Sequence, residues 1–183
     1  MNSAIKDKHR NQILESAREI VLADPKSKLK AHEVAKRANI ARTSLYEHFD
    51  SINELMGELL LTELMNFSLE VRNELTKSEV ISEVVSNWTN LNLDYFADGR
   101  HALVRALMPA AMNSAWRDEI RKQHIKLYEE LKFALGKSGY ELSPLRFELI
   151  TAVLEAATKR VESSDTPELV RSEAISFINK ALA

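Results

Sequence analysis

The chain has 183 residues, no cysteine, 4 Gly and 4 Pro, and a formal net charge of -2. Without cysteine there are no disulfides or thiolate metal sites, and a reducing compartment is the natural one. So few glycines and prolines leave few places to turn, which favours long helices over many short strands. The opening MNSAIKDKHRNQ lacks the apolar stretch of a signal peptide, and no apolar run is long enough to cross a bilayer, so a soluble cytoplasmic protein without membrane association is expected. The charge is uneven: residues 1–50 hold ten Lys or Arg against seven Asp or Glu, and the remainder is acidic. A basic head on an acidic body can meet phosphate with one end only.

In chain order, Ile13, Leu14, Ala17, Ile20 and Val21 recur at helical spacing and predict a first helix over about Lys6 to Ala23, ended by Asp24-Pro25. Its lead-in, with Lys6, Lys8, His9 and Arg10, is either a loose cationic arm toward a phosphate backbone or an ordinary solvated helix start. Ala31, Val34, Ala35 and Ala38 then place a small apolar stripe on one short helix, and Asn39 suits the left-handed backbone that closes a helix. A second short helix begins near Ala41, burying Leu45 and Phe49 and leaving Arg42, Thr43, Ser44, Tyr46, Glu47 and His48 to point outward. Two short helices, a tight turn and a polar, partly cationic outer face make a helix-turn-helix, whose second helix enters the DNA major groove.

The rest of the chain also reads as helix. Ser51 with Glu54 is a capping box that opens a long fourth helix to about Leu75, and Thr76 with Glu79 repeats the signature before a fifth that stops at Asp98-Gly99. A sixth, about Arg100 to Asn113, is bent or ended by Pro109. Trp116, Ile120, Leu127, Leu131 and Leu135 outline a seventh up to Gly136. Ser143-Pro144 and Thr166-Pro167 open the last two with a hydroxyl cap and a proline in the first turn.

At Val34-Ala35, Ala38-Asn39-Ile40, Thr43-Ser44-Leu45-Tyr46, Phe49, Ser51 and Leu55, and back through Ile13-Leu14, Ala17 and Ile20-Val21, the chain resembles the tetracycline-repressor (TetR) family of bacterial transcriptional regulators. It departs from the family pattern at Lys30, Asn39, Ala41, Thr43, Ile52 and Asn53. The resemblance implies an all-α protein of about nine helices. A three-helix DNA-binding domain over residues 1–50 would precede a larger ligand-binding and dimerisation domain over residues 51–183, in the bacterial cytoplasm. Arg42, Thr43, Ser44, Tyr46 and His48 are the candidate DNA contacts on the second short helix. Lys30, Lys36 and the helix start at Ser51 are candidate backbone contacts. Glu47 either accepts from a cytosine amino group or is solvated or paired within the chain.

In the body, Asn92 and His124 interrupt apolar stripes. With Trp88, Tyr95, Phe96, Met108, Met112, Trp116 and Tyr128 they either wall a pocket for a small hydrophobic or amphipathic ligand or form a packed core with satisfied polar groups. The last two helices are apolar over more than one face, so a second copy is expected to cover the excess. The candidate interface residues are Phe147, Ile150, Val153 and Ala157 on one helix and Val170, Ala174, Phe177 and Ile178 on the other. The histidines are scattered and no metal or catalytic constellation is legible, so neither a cofactor nor a metal is expected. The resemblance implies a homodimeric repressor on a palindromic operator, released by a small-molecule ligand. Its rivals are a regulator without ligand control, a helical-bundle enzyme using the body cavity, and a protein-interaction module.

Overall fold

The structure, a computed structural model, describes residues 2–112, 115–163 and 166–182. Among them nine helices follow one another without a strand: α1 (Asn2–Ala23), α2 (Ala31–Arg37), α3 (Arg42–Tyr46), α4 (Ile52–Leu75), α5 (Ile81–Ala97), α6 (Arg100–Ala111), α7 (Arg117–Gly136), α8 (Pro144–Ser163) and α9 (Pro167–Leu182). They form two compact units, Met1–Leu64 with Gly99–Arg121, and Met65–Asp98 with Lys122–Ala183. The body's sixth helix thus clusters with the head rather than with its chain neighbours.

In the first unit, α1 packs on α2 and α6, and α2 packs on α3. The stripe read from the sequence faces inward: Ile13 and Ala17 of α1, Val34 of α2, Leu45 of α3, Leu55 and Leu60 of α4 and Leu103 of α6 are fully buried. Each large aliphatic side chain so buried contributes about 1.5–3 kcal/mol. The turn into α6 uses Gly99 at φ 86, a backbone that side chains with a Cβ adopt only under strain. α6 ends two residues beyond Pro109, in keeping with the lost amide donor.

The second unit is built on α5, α8 and α9, each packed against the other two. Val84, Val85 and Leu93 of α5, Ile150 and Leu154 of α8, and Ile178 and Leu182 of α9 line its interior, with Leu131 and Leu135 from α7. Glu130 of α7 is buried but not orphaned, because Arg72 donates to it from Nε at 2.9 Å and from Nη2 at 2.7 Å. α9 is tied to α5 at its polar edge, where Arg171 donates to Asn90 and Asp94.

Two helix starts differ from the sequence reading. The first helix already runs from Asn2, so the lead-in is helical rather than a loose arm; the side chain of Lys6 lies outside the described residues, as does Asn113 at the expected end of the sixth helix. The fifth begins at Ile81, not at a Thr76 capping box. Thr76 donates back to the carbonyl of Asn73, while Ser78 accepts from the amide of Val80 and donates to Glu83. The hydroxyl nearer the helix start wins: Ser78 binds the amide of Val80, which precedes the first turn, and the Glu83 carboxylate within it.

Candidate nucleic-acid interface

The helix-turn-helix is held by backbone geometry and by packing more than by its own helical length. The amide of Ala38 closes α2 onto the carbonyl of Val34 at 2.8 Å, and Asn39 then takes φ 54, the left-handed conformation that reverses the chain. Ile40 donates back to the carbonyl of Ala35 at 3.0 Å, completing the turn. α3 has five residues and no side-chain cap on Ala41, far too short to be stable alone. Leu45 and Phe49, 0% and 2% exposed, anchor it. Its opposite side presents Arg42, Thr43 and Tyr46 to solvent, with the Arg42 guanidinium 6.0 Å from the Tyr46 ring centroid.

The other predicted DNA contacts fall in different settings. Lys36 is exposed and, among the described residues, pairs with no carboxylate, whereas Lys30 reaches Glu33 at 3.2 Å while staying exposed. Ser44 is half-buried. The Ser51 hydroxyl accepts from the amide of Glu54 at 3.1 Å, so it serves as the cap that starts α4. His48 does not point outward as expected. It is half-buried with Nδ1 turned in, edge-on to His9 at 6.2 Å, because its place just past the end of α3 faces α1. Glu47 is exposed and, among the described residues, has no ion-pair partner.

Arg10, read above as a candidate arm residue, is engaged inside the head. It donates from Nε to Glu58 of α4 at 2.8 Å and from its terminal nitrogens to Glu58 and to the His48 carbonyl, with its guanidinium 4.3 Å from the centre of Phe49. The hydrogen bond to Glu58 raises its pKa above the ordinary guanidinium value against an opposing effect of burial, with Glu54 and Asp50 adding to the rise. Gln12, two residues on, donates to the Ala38 carbonyl at 3.0 Å. Nothing in the periodicity of α1 singled out this pair, since both lie off its apolar stripe.

Of the predicted pocket residues, Trp88, Asn92, Tyr95, Phe96, His124 and Tyr128 lie in the second unit and Met108, Met112 and Trp116 in the first. Trp88 and Tyr95 are buried, Asn92 and Tyr128 half-buried and His124 exposed. Asn92 donates to the carbonyl of Trp88, one turn back, at 2.8 Å. Trp88 and Tyr128 meet across Phe147, at 6.0 and 4.9 Å, and Tyr95 stacks on Phe67 at 4.1 Å. In the same unit the hydroxyls of Ser68 and Thr89 are buried and, among the described residues, have no hydrogen-bond partner. Two grooves of about 480 and 670 Å³ open on this unit, one lined by Arg72, Leu75 and Phe133, the other by Val80, Ile81 and Tyr140; neither includes the predicted pocket residues.

The expected interface residues divide by face. Ile150, Ala157, Ala174 and Ile178 are buried by their own chain, which takes them off any outward surface; Phe147, Val153 and Val170 are half-buried and Phe177 is 60% exposed. The outward apolar residues are instead Leu145 and Leu149 on α8 and Leu169 with Phe177 on α9. The sequence carried both stripes, but periodicity does not say which of two apolar faces turns inward.

Residues 13–59, spanning α1 to the first turns of α4, match the family described as bacterial regulatory proteins, tetR family. No curated protein matches the chain. Solved structures align over nearly its whole length. A TetR transcription regulator from Haloarcula marismortui is 13% identical with a TM-score of 0.74, over 96% of this chain and 97% of its own. A TetR family transcription regulator from Marinobacter aquaeolei is 18% identical with a TM-score of 0.70, over 100% and 99%. The transcriptional regulator FadR from Bacillus subtilis, solved with stearoyl-CoA, is 15% identical with a TM-score of 0.68, over 94% and 98%. At these identities the alignments speak to fold alone: residues 13–59 are a match to the tetR family of bacterial regulatory proteins, and the chain as a whole has the fold of these solved regulators.

Proposed function

We propose that the chain is a sequence-specific DNA-binding transcriptional regulator rather than an enzyme, acting in the cytoplasm as a homodimeric repressor. One observation carries the reading: α3 offers Arg42, Thr43 and Tyr46 on a face opposite its Leu45–Phe49 anchor, within the segment that matches the family. Arginine forks onto guanine or a phosphate, and short hydroxyls and a phenol suit close approach to the backbone. Residues 1–50 act as the reading head and residues 51–183 as the body that binds ligand and a second copy. The outward leucines and Phe177 of α8 and α9 are the surface a two-fold partner covers.

Two heads related by a two-fold axis require a near-palindromic site, its halves about 34–36 Å or a multiple apart. A small apolar or amphipathic ligand that favours another spacing lowers occupancy by its differential affinity for the two arrangements. The aromatic cluster around Phe147 and the unpartnered hydroxyls of Ser68 and Thr89 support such a ligand in the second unit. The similar FadR is solved with stearoyl-CoA, which supports a ligand of that general kind. Selection of bound fragments from the source genome tests the reading. Recovery of a shared inverted repeat is expected; equal binding to all duplexes at cellular ionic strength overturns it.

A further inference from the structure

A five-residue helix can read DNA only if something fixes its angle, and α3 has neither a cap nor the length to do so itself. Its buried side rests on apolar packing, which resists separation but not rolling, because apolar contact is not directional. The directional contacts come from α1. The Arg10 guanidinium uses a fork on Glu58 of α4, a further donor on the carbonyl of His48 just past the end of α3, and its face on the Phe49 ring. Gln12 holds the carbonyl of Ala38, just past the end of α2, in the same way. Two residues of α1 therefore grip the C-terminal ends of both helices of the motif, and Arg10 alone spans three helices.

We propose that Arg10, held by Glu58, is a positioning residue for DNA reading: it sets the angle of α3 in the groove without touching DNA itself. The proposal rests on the DNA-binding reading of α3. A direct phosphate contact by Arg10 is disfavoured by its surroundings, since Glu58, Glu54 and Asp50 already neutralise its charge and the fork is filled by protein acceptors. Planarity matters here as much as charge, because a single ammonium cannot hold a bidentate carboxylate and a carbonyl in one plane.

The test uses Glu58→Gln, Arg10→Lys and Arg10→Gln in the full chain, with operator titration at several salt concentrations and amide hydrogen exchange of the free protein. Loss of the clamp is expected to weaken operator binding by roughly tenfold to a hundredfold in all three variants, with the salt slope unchanged. The amides of Leu45 and Phe49, which bond to Ala41 and Leu45, are expected to exchange about tenfold faster or more. A phosphate contact predicts the opposite signs. Glu58→Gln would then bind as well as wild type or better, because an acidic neighbour is gone, and a slope lowered by about one would accompany Arg10→Gln. Either of those results, or unchanged exchange at Leu45 and Phe49, overturns the proposal. If the wild type shows no sequence preference, the DNA reading fails by itself, while the exchange data still decide whether Arg10 orders α3.

Discussion

α3 and the α8–α9 pair are both amphipathic, yet they turn opposite kinds of surface outward. On α3 the apolar side is spent on the core, with Leu45 and Phe49 buried, and the outward side is Arg42, Thr43 and Tyr46. On α8 and α9 the core is filled by Ile150, Leu154 and Ile178, and the outward side is still apolar: Leu145, Leu149, Leu169 and Phe177 are each about 60% exposed. Burial alone does not distinguish these elements, since both are well anchored. What remains outside does. A polar, cationic remainder suits phosphates and base edges, whereas large apolar side chains left outward suit another apolar surface.

The largest effect is expected where the head's outward side is removed. Arg42→Ala with Tyr46→Ala deletes a guanidinium and a phenol that make no core contact, so the fold is kept while operator affinity falls by roughly 2–4 kcal/mol, about thirtyfold to a thousandfold. Fluorescence anisotropy with the selected operator measures the loss, and circular dichroism checks the helices. An affinity within a factor of two of wild type would place the reading surface elsewhere.

A smaller effect is expected from altering the other outward side. Leu149→Glu with Phe177→Glu puts carboxylates where the proposed second copy would bring its apolar surface, and both side chains are more than half exposed in their own chain. Self-association is expected to weaken by about tenfold to a hundredfold, seen as a shift toward monomer in sedimentation velocity, with little change in helix content. The substitution at Ile178 would not discriminate, because that residue is buried by its own chain and its loss would unfold the unit. A double variant that sediments as the wild type would show that α8 and α9 are covered by something other than a second copy.

The same contrast explains what was legible in the sequence. Ala31 to Phe49 could be read nearly residue by residue, because a three- or four-residue apolar spacing with polar residues between leaves one choice of buried face, and Asn39 marked the turn. On α8 and α9 apolar residues occupy two faces, so spacing predicted the excess but assigned Ile150, Ala157, Ala174 and Ile178 to the outside when they fill the inside. His48 escaped for a related reason: polarity suggested solvent, but its position just past the end of α3 faces His9 of α1. The Arg10–Glu58 link joins residues 48 apart in sequence, and no local pattern carries such a pairing.

The smallest expected effect sharpens the claim that the head's geometry is set by its backbone turn. Asn39 stands at φ 54, and among the described residues it is the one non-glycine with positive φ. A Cβ in that region crowds the backbone at a cost of roughly 1–2 kcal/mol, which a short polar side chain partly offsets by bonding locally. Asn39→Ala keeps the Cβ and loses the local polar compensation, so it is expected to destabilise by about 1 kcal/mol. Asn39→Gly relieves the strain but loosens the unfolded chain, and the two nearly cancel to within about 0.5 kcal/mol of wild type. Urea denaturation of the three proteins reads the difference. The ordering matters more than the size: if alanine is tolerated as well as glycine, the left-handed turn is not what holds α2 against α3, and the grip of Arg10 and Gln12 carries the motif instead.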